Sequence, residues 1–168
     1  MKKPSNKPVE GDAVSVRLDD GRFALGVIAR VETARPRKPY GIFVYFFGPY
    51  VKAQNALASP AFVKPANAVA KLNTSALGIY DGTWGKLGRL PDWNRDDWPF
   101  PDFYAENDFT GQLHRVTFSE DTLVTEVRRV PLQEKGNLER NDSHGSGAAQ
   151  WQVSRAVEGR PSLDTVVH

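Results

Sequence analysis

An eleven-residue run without a single charge, Gly41 to Val51 (GIFVYFFGPYV), constrains this chain more than any other feature. It is about half the length that a membrane span requires, and Gly48-Pro49 interrupts it. Aromatic and aliphatic residues follow one another from Tyr40 to Phe47 almost without a break. A strand with that composition presents apolar side chains on both faces, so it must be central in a sheet and covered on both sides. The rest of the chain has to supply the cover.

The preceding residues supply its neighbours. Asp12 to Leu18 (DAVSVRL) alternates apolar and polar, as a half-buried strand does. Asp19-Asp20-Gly21-Arg22 offers a D-G turn, and Phe23 to Glu32 resumes an apolar, β-branched run. Two such runs around a D-G turn predict a hairpin. Gly26 within the second strand marks a bulge or a close backbone approach. After the loop ARPRKP (34–39), the Tyr40–Phe47 run completes a three-stranded antiparallel meander.

Further along, the Ala-rich stretch 52–75 carries Pro60 and Pro65, which restrict it to one short helix near 66–72. A strand is expected over Ser75 to Tyr80 before the Asp81-Gly82 turn, with Trp84, Leu87 and Leu90 buried beyond it. Gln112 to Ser119 and Thr122 to Pro131 read as a second hairpin turning at Glu120-Asp121. Residues 133–147 are polar and Gly/Ser-rich, a mobile loop or linker, and Ala148 to Glu158 suits a last helix stopped by Gly159 and Pro161. With 168 residues, a core of single-domain size is available. These elements predict a single α+β domain over residues 11–160. It is a mostly antiparallel twisted sheet or partial barrel with a short middle helix and a C-terminal helix. Flexible ends are expected at 1–10 and 161–168.

The chemistry on offer is narrow. With no cysteine there is no disulfide framework, thiol nucleophile or zinc-thiolate site. Walker A, G-x-G-x-x-G and G-x-S-x-G motifs are all missing. Asp92, Asp96, Asp97, Asp102 and Asp108 could in principle serve acid–base work or hold a hard cation, but their spacing matches no EF-hand loop. His114 falls on an alternating strand, and Ser143-His144 and Ser146 in a polar loop that would not hold catalytic geometry. The reading is therefore of a protein that is not an enzyme, with no catalytic residue, metal or cofactor. The start carries three Lys but no apolar stretch of signal-peptide length, so a cytoplasmic protein with no membrane association is expected.

Charge supplies the positive clue. Residues 1–80 hold twelve Lys/Arg against five Asp/Glu, and residues 81–126 hold four against ten. Such asymmetry bears on partner choice and association rate rather than on fold. On the basic side, Arg35, Arg37 and Lys38 with Tyr40, joined by Lys2, Lys3 and Lys7, could contact phosphate, and Tyr45 or Phe47 on an exposed sheet face could stack bases. That would make a small β-rich nucleic-acid-binding or regulatory module, although the acidic segment would repel a phosphate backbone. On the acidic side, residues 91–109 (PDWNRDDWPFPDFYAENDF) combine tryptophans and prolines with carboxylates. Aromatic anchors among acids suit a preformed loop for a basic protein surface, which nominates Asp92, Trp93, Asp96, Asp97, Trp98, Asp102, Glu106 and Asp108. The plainer alternative is that Trp93, Trp98, Phe100 and Phe103 plug the core while the acids solvate the outside. Both can hold together.

In order and spacing, several motifs resemble one family. The opening GDAVSVRLDDGRFALGVIARV is similar to the G-D start and D-G-R turn of the bacterial immunity protein 26 family. Trp84 with Leu87-Gly88 and Pro91, then Trp98-Pro99-Phe100-Pro101 with Phe103, resembles that family's Trp- and Pro-containing core, and Gly147-Ala148-Ala149 with Trp151 extends the likeness. The resemblance implies an α+β protein that binds and neutralises a cognate polymorphic toxin, a contact-dependent-inhibition or type VI effector, in the cytoplasm of the producing cell. A nuclease, with its basic cleft, is the kind of toxin an acidic face would suit. The stretches 52–75 and 133–147 do not map onto the family pattern.

Overall fold

The computed structural model describes residues 6–58 and 60–165. The outermost parts of both terminal segments, with Lys2, Lys3 and His168, lie outside these residues. The uncharged run forms β3, Gly41–Tyr50, buried along nearly its whole length. On one side it pairs with β2 (Phe23–Val31), which in turn pairs with β1 (Asp12–Arg17), and on the other with β4 (Ala70–Ser75), all antiparallel. With β5 (Gly85–Arg89) beyond β1 and β10 (Ser143–His144) beyond β4, they make a six-stranded sheet in the order β10-β4-β3-β2-β1-β5. A second, four-stranded sheet has the order β8-β7-β6-β9, from β6 (Phe103–Glu106), β7 (Leu113–Phe118), β8 (Glu126–Leu132) and β9 (Glu139–Arg140). Both sheets are open.

The period-2 alternation of β3 sends its side chains into two cores. Phe43, Tyr45 and Phe47 join Leu25, Val27, Trp98, Phe103, Val116 and Phe118 between the two sheets. Ile42, Val44 and Phe46 face the other way, against Trp84, Ile79 and the helix α3, Ser146–Ala156, through Ala149 and Val153. The double cover expected for this strand is thus provided by the second sheet on one side and helices on the other. Gly26 is the close approach its position suggested: a Cβ there would lie 2.9 Å from both Val14 Cγ2 and Val44 Cγ1. The ladder irregularities of β2 fall on either side of it, between Phe23 and Leu25 and between Ile28 and Arg30.

Three local expectations are overturned. The helix expected over 66–72 is a 3-10 turn at Pro65–Asn67 followed by β4, because the open edge of β3 accepts Ala70–Ser75 as a partner and Leu72 reaches the core. Strand pairing overrides the helix preference of an Ala-rich stretch. The strand expected over 75–80 is instead a one-turn helix α2, Leu77–Tyr80, which seats Gly78 against the Trp84 ring; the other short middle helix, α1, spans Gln54–Ala58. The polar stretch 133–147 is more than a linker. It crosses between the sheets, adding β9 in parallel to β6 and then β10 in parallel to β4. Leu87 is only half-buried beside buried Trp84 and Leu90, and Trp151 of α3 is exposed.

In that crossing segment, burial holds the His144 imidazole below its ordinary value, with the Asp142 carboxylate opposing weakly. The fold favours neutral His144, so its contribution is present above the ordinary histidine range and is lost as pH falls through the lowered value. Replacing His144 with Gln should flatten the decline in thermal stability on acidification from neutral pH, read from melts across that range. Gly26→Ala should cost about 1–3 kcal/mol by overpacking, measured as a lower denaturant midpoint at unchanged slope.

Candidate functional site

The acidic–aromatic segment leaves β5 and reaches β6 by an irregular path, as its prolines require. Asp92 takes a left-handed conformation with φ 56°, which Asp tolerates better than most residues. Next to it the Trp93 indole lies on the backbone of Gly11, whose φ is +90° and where a Cβ would come within 2.7 Å of the ring. No side chain can replace hydrogen at Gly11 without displacing that tryptophan. Asn94 then accepts the Asp96 N–H at 3.2 Å through its side-chain oxygen and opens the 3-10 turn Arg95–Asp97.

Trp98 is the anchor. It is buried at 4% exposure, edge-on to Tyr45 at 5.2 Å and to Phe47 at 6.0 Å, with Trp93 tilted against its outer side at 5.5 Å. The backbone is clamped at the same place. The buried Arg30 guanidinium donates to the Trp98 carbonyl at 2.9 Å, and the Tyr45 hydroxyl donates to the Pro99 carbonyl. Burial pushes the Tyr45 phenol up to about 12, so it stays a donor at any ordinary pH. Phe100 packs edge-on to Phe43 at 5.0 Å, and Phe103 enters β6 inside the core.

With the rings turned inward, the carboxylates are sorted. Asp92, Asp96 and Asp97 are exposed, and among the described residues none has an ion pair. Asp92 and Asp97 border an open hollow of about 550 Å³, whose other walls include Pro60, Val63, Lys64 and Trp98. Arg95, the lone cation of the stretch, is taken up by Glu10 at 3.0 Å and Glu120 at 3.2 Å, and so does not neutralise its aspartate neighbours. Asp102 is committed within the fold, to Arg115 at 2.7 Å and to the Thr117 hydroxyl at 2.8 Å. Glu106 and Asp108 are exposed at the end of β6 and in the turn beyond it, roughly 10 Å along the strand from Phe103. The nominated residues thus divide into a loop with Asp92, Trp93, Asp96 and Asp97, a buried Trp98, an internally paired Asp102, and a distal pair, Glu106 and Asp108.

The basic loop is a separate surface. Arg35, Arg37, Lys38 and Tyr40 are exposed around an open hollow of about 440 Å³. Arg35 and Lys38 each lie 5.8 Å from the Tyr40 ring centre, and Lys38 also lies 5.3 Å from that of Tyr80. The loop is held by Thr33 and Ala34 N–H groups donating to the Asp121 carbonyl, and Lys7 donates to the Pro36 carbonyl. Tyr45 and Phe47 are fully enclosed and cannot stack bases, which corrects that expectation: both faces of β3 are covered. Among the described residues, no three His, Asp or Glu side chains converge as metal ligands, and no helix is long and apolar enough to cross a membrane.

A residue that pattern reasoning did not nominate is Phe109, 99% exposed between Asp108 and Thr110. Its only sequence signal was an aromatic in a turn-forming N-D-F-T-G stretch.

Trp98→Ala should lower stability by roughly 3–5 kcal/mol in denaturant unfolding, since it opens a cavity and leaves Arg30 over a loosened carbonyl. Asp96→Asn should change stability by less than about 0.5 kcal/mol in the same measurement.

A family model described as Immunity protein 26 matches residues 9–112, from just before β1 through the turn that follows β6. Nothing matches the chain among curated proteins or among solved structures.

Proposed function

Because the chain belongs to the immunity protein 26 family, we propose that it protects the cell that makes it by binding and covering a toxin through its acidic loop. Membership implies an immunity protein with a cognate toxin partner. The finer reading is that this toxin is an effector of a polymorphic system, delivered by contact-dependent inhibition or type VI secretion, and that neutralisation takes place in the cytoplasm without catalysis.

The observation that carries the site is the sorting of charge around Trp98. Asp92, Asp96 and Asp97 are presented to solvent with no ion pair among the described residues, on a loop whose backbone is clamped at two carbonyls. Carboxylates held in place lose little freedom on binding, and an unpaired set raises the association rate with a basic surface. A nuclease, whose cleft is basic because it holds a phosphate backbone, is the toxin class best matched to such a loop. Trp93 flanks the acids half-buried, while Trp98 and Asp102 hold the surface in shape.

A second reading rests on the cations gathered over Tyr40 and Tyr80. There the 35–40 loop would meet an acidic toxin, or nucleic acid with an affinity that falls steeply as salt rises.

Where the gene immediately upstream encodes a large secreted protein with a variable C-terminal domain, the test is co-expression with that domain. Cells should survive that domain only when this chain is present, and the purified pair should form a complex. Changing Asp96 and Asp97 together to Lys should slow association about tenfold or more at low salt, leaving the melting temperature nearly unchanged. Equal association rates for the double variant and the wild type would remove the acidic loop from the interface.

A further inference from the structure

At the end of the β6–β7 hairpin, the chain turns back through residues 107–112. The turn is closed by its own hydrogen bonds. Asn107 donates its N–H to the Gln112 carbonyl at 2.9 Å and accepts the Gly111 N–H at 2.8 Å. The Asn107 side-chain oxygen accepts the N–H groups of Phe109 at 2.9 Å and Thr110 at 3.0 Å, and Gly111 supplies the left-handed residue with φ +69°. What this built turn displays is Phe109, 99% exposed, where the next most exposed large apolar residue among the described ones is Val127 at 61%. Every other phenylalanine near it in sequence is at least half-buried: Phe100, Phe103 and Phe118 all pack against the intersheet core. The two carboxylates beside it, Glu106 and Asp108, are exposed and have no ion pair among the described residues.

We infer that Phe109 is an anchor that enters an apolar pocket rimmed by lysines or arginines on the protein partner. This inference rests on the toxin-binding reading and deepens it by naming a second contact apart from the Asp92–Asp97 loop. The charge pattern selects the occupant. The hydrogen-bonded turn fixes the backbone that carries the ring, and a phenyl has only two side-chain torsions to order on insertion, which suits a hot-spot aromatic. The flanking carboxylates reward a basic rim and disfavour an anionic lipid surface or a second acidic hairpin of the same kind.

The experiment measures binding of the same co-encoded toxin domain by wild type, Phe109→Ala, Phe109→Leu and the double change of Glu106 and Asp108 to Lys, with melts and sedimentation of each. Because the ring is 99% exposed, Phe109→Ala should keep the wild-type melting temperature. Its Kd for the toxin domain should rise about tenfold to a hundredfold, mostly through faster dissociation. Phe109→Leu should recover part of that loss, and the lysine pair should slow association in a salt-dependent way. Wild-type affinity in Phe109→Ala overturns the anchor while leaving the immunity reading intact. Loss of a homodimer in Phe109→Ala with toxin affinity unchanged also overturns it, by assigning the ring to a second copy. If the wild type itself fails to bind the domain, the immunity reading falls and the anchor falls with it.

Discussion

The seating of Trp98 against Tyr45 and Phe47 organises this molecule. It closes the intersheet core over the central strand, and the two carbonyls beside it are held by Arg30 of β2 and Tyr45 of β3. A buried arginine has to be paired, and Arg30 finds Glu120 at 3.5 Å, on the turn between β7 and β8. Glu120 in turn shares Arg95 with Glu10. One indole and one guanidinium thereby link the N-terminal approach to β1, the central sheet, the acidic segment and the second sheet.

That arrangement makes a charged surface out of a hydrophobic event. When consecutive residues alternate between ring and carboxylate, sending the rings inward sends the acids outward. Had the acids been matched by nearby cations, the surface would be neutral and closed. Arg95 is turned away to Glu10 and Glu120, so among the described residues Asp92, Asp96 and Asp97 have no ion-pair partner. Along this one segment the rings belong to the core, and Asp92, Asp96 and Asp97 are left on the surface.

Much of this was legible beforehand, wherever a local pattern leaves one outcome. The D-G hairpin, the doubly covered strand and the close approach at Gly26 all follow from alternation and side-chain size over a few residues. The failures share another cause. Residues 66–72 read locally as helix, but an open edge of β3 lies waiting for Ala70–Ser75, and the polar stretch 133–147 reads as linker until both sheets offer it an edge. Phe109 went unnoticed because exposure of a ring is a property of the turn around it, and in sequence it is one aromatic among several.

Unaided, the amino-acid sequence determined that the chain builds an antiparallel, doubly covered sheet, lacks thiol chemistry and concentrates acid and tryptophan in one proline-broken stretch. Those properties belong to residue types and their near neighbours. Tertiary structure alone decided that Asp102 is spent on Arg115, that Arg95 is drawn off its aspartates, and that Phe109 rather than Trp98 meets solvent. Pairing and burial are relations between residues brought together from distant parts of the chain. A linear pattern records which faces are apolar, but not what comes to cover them.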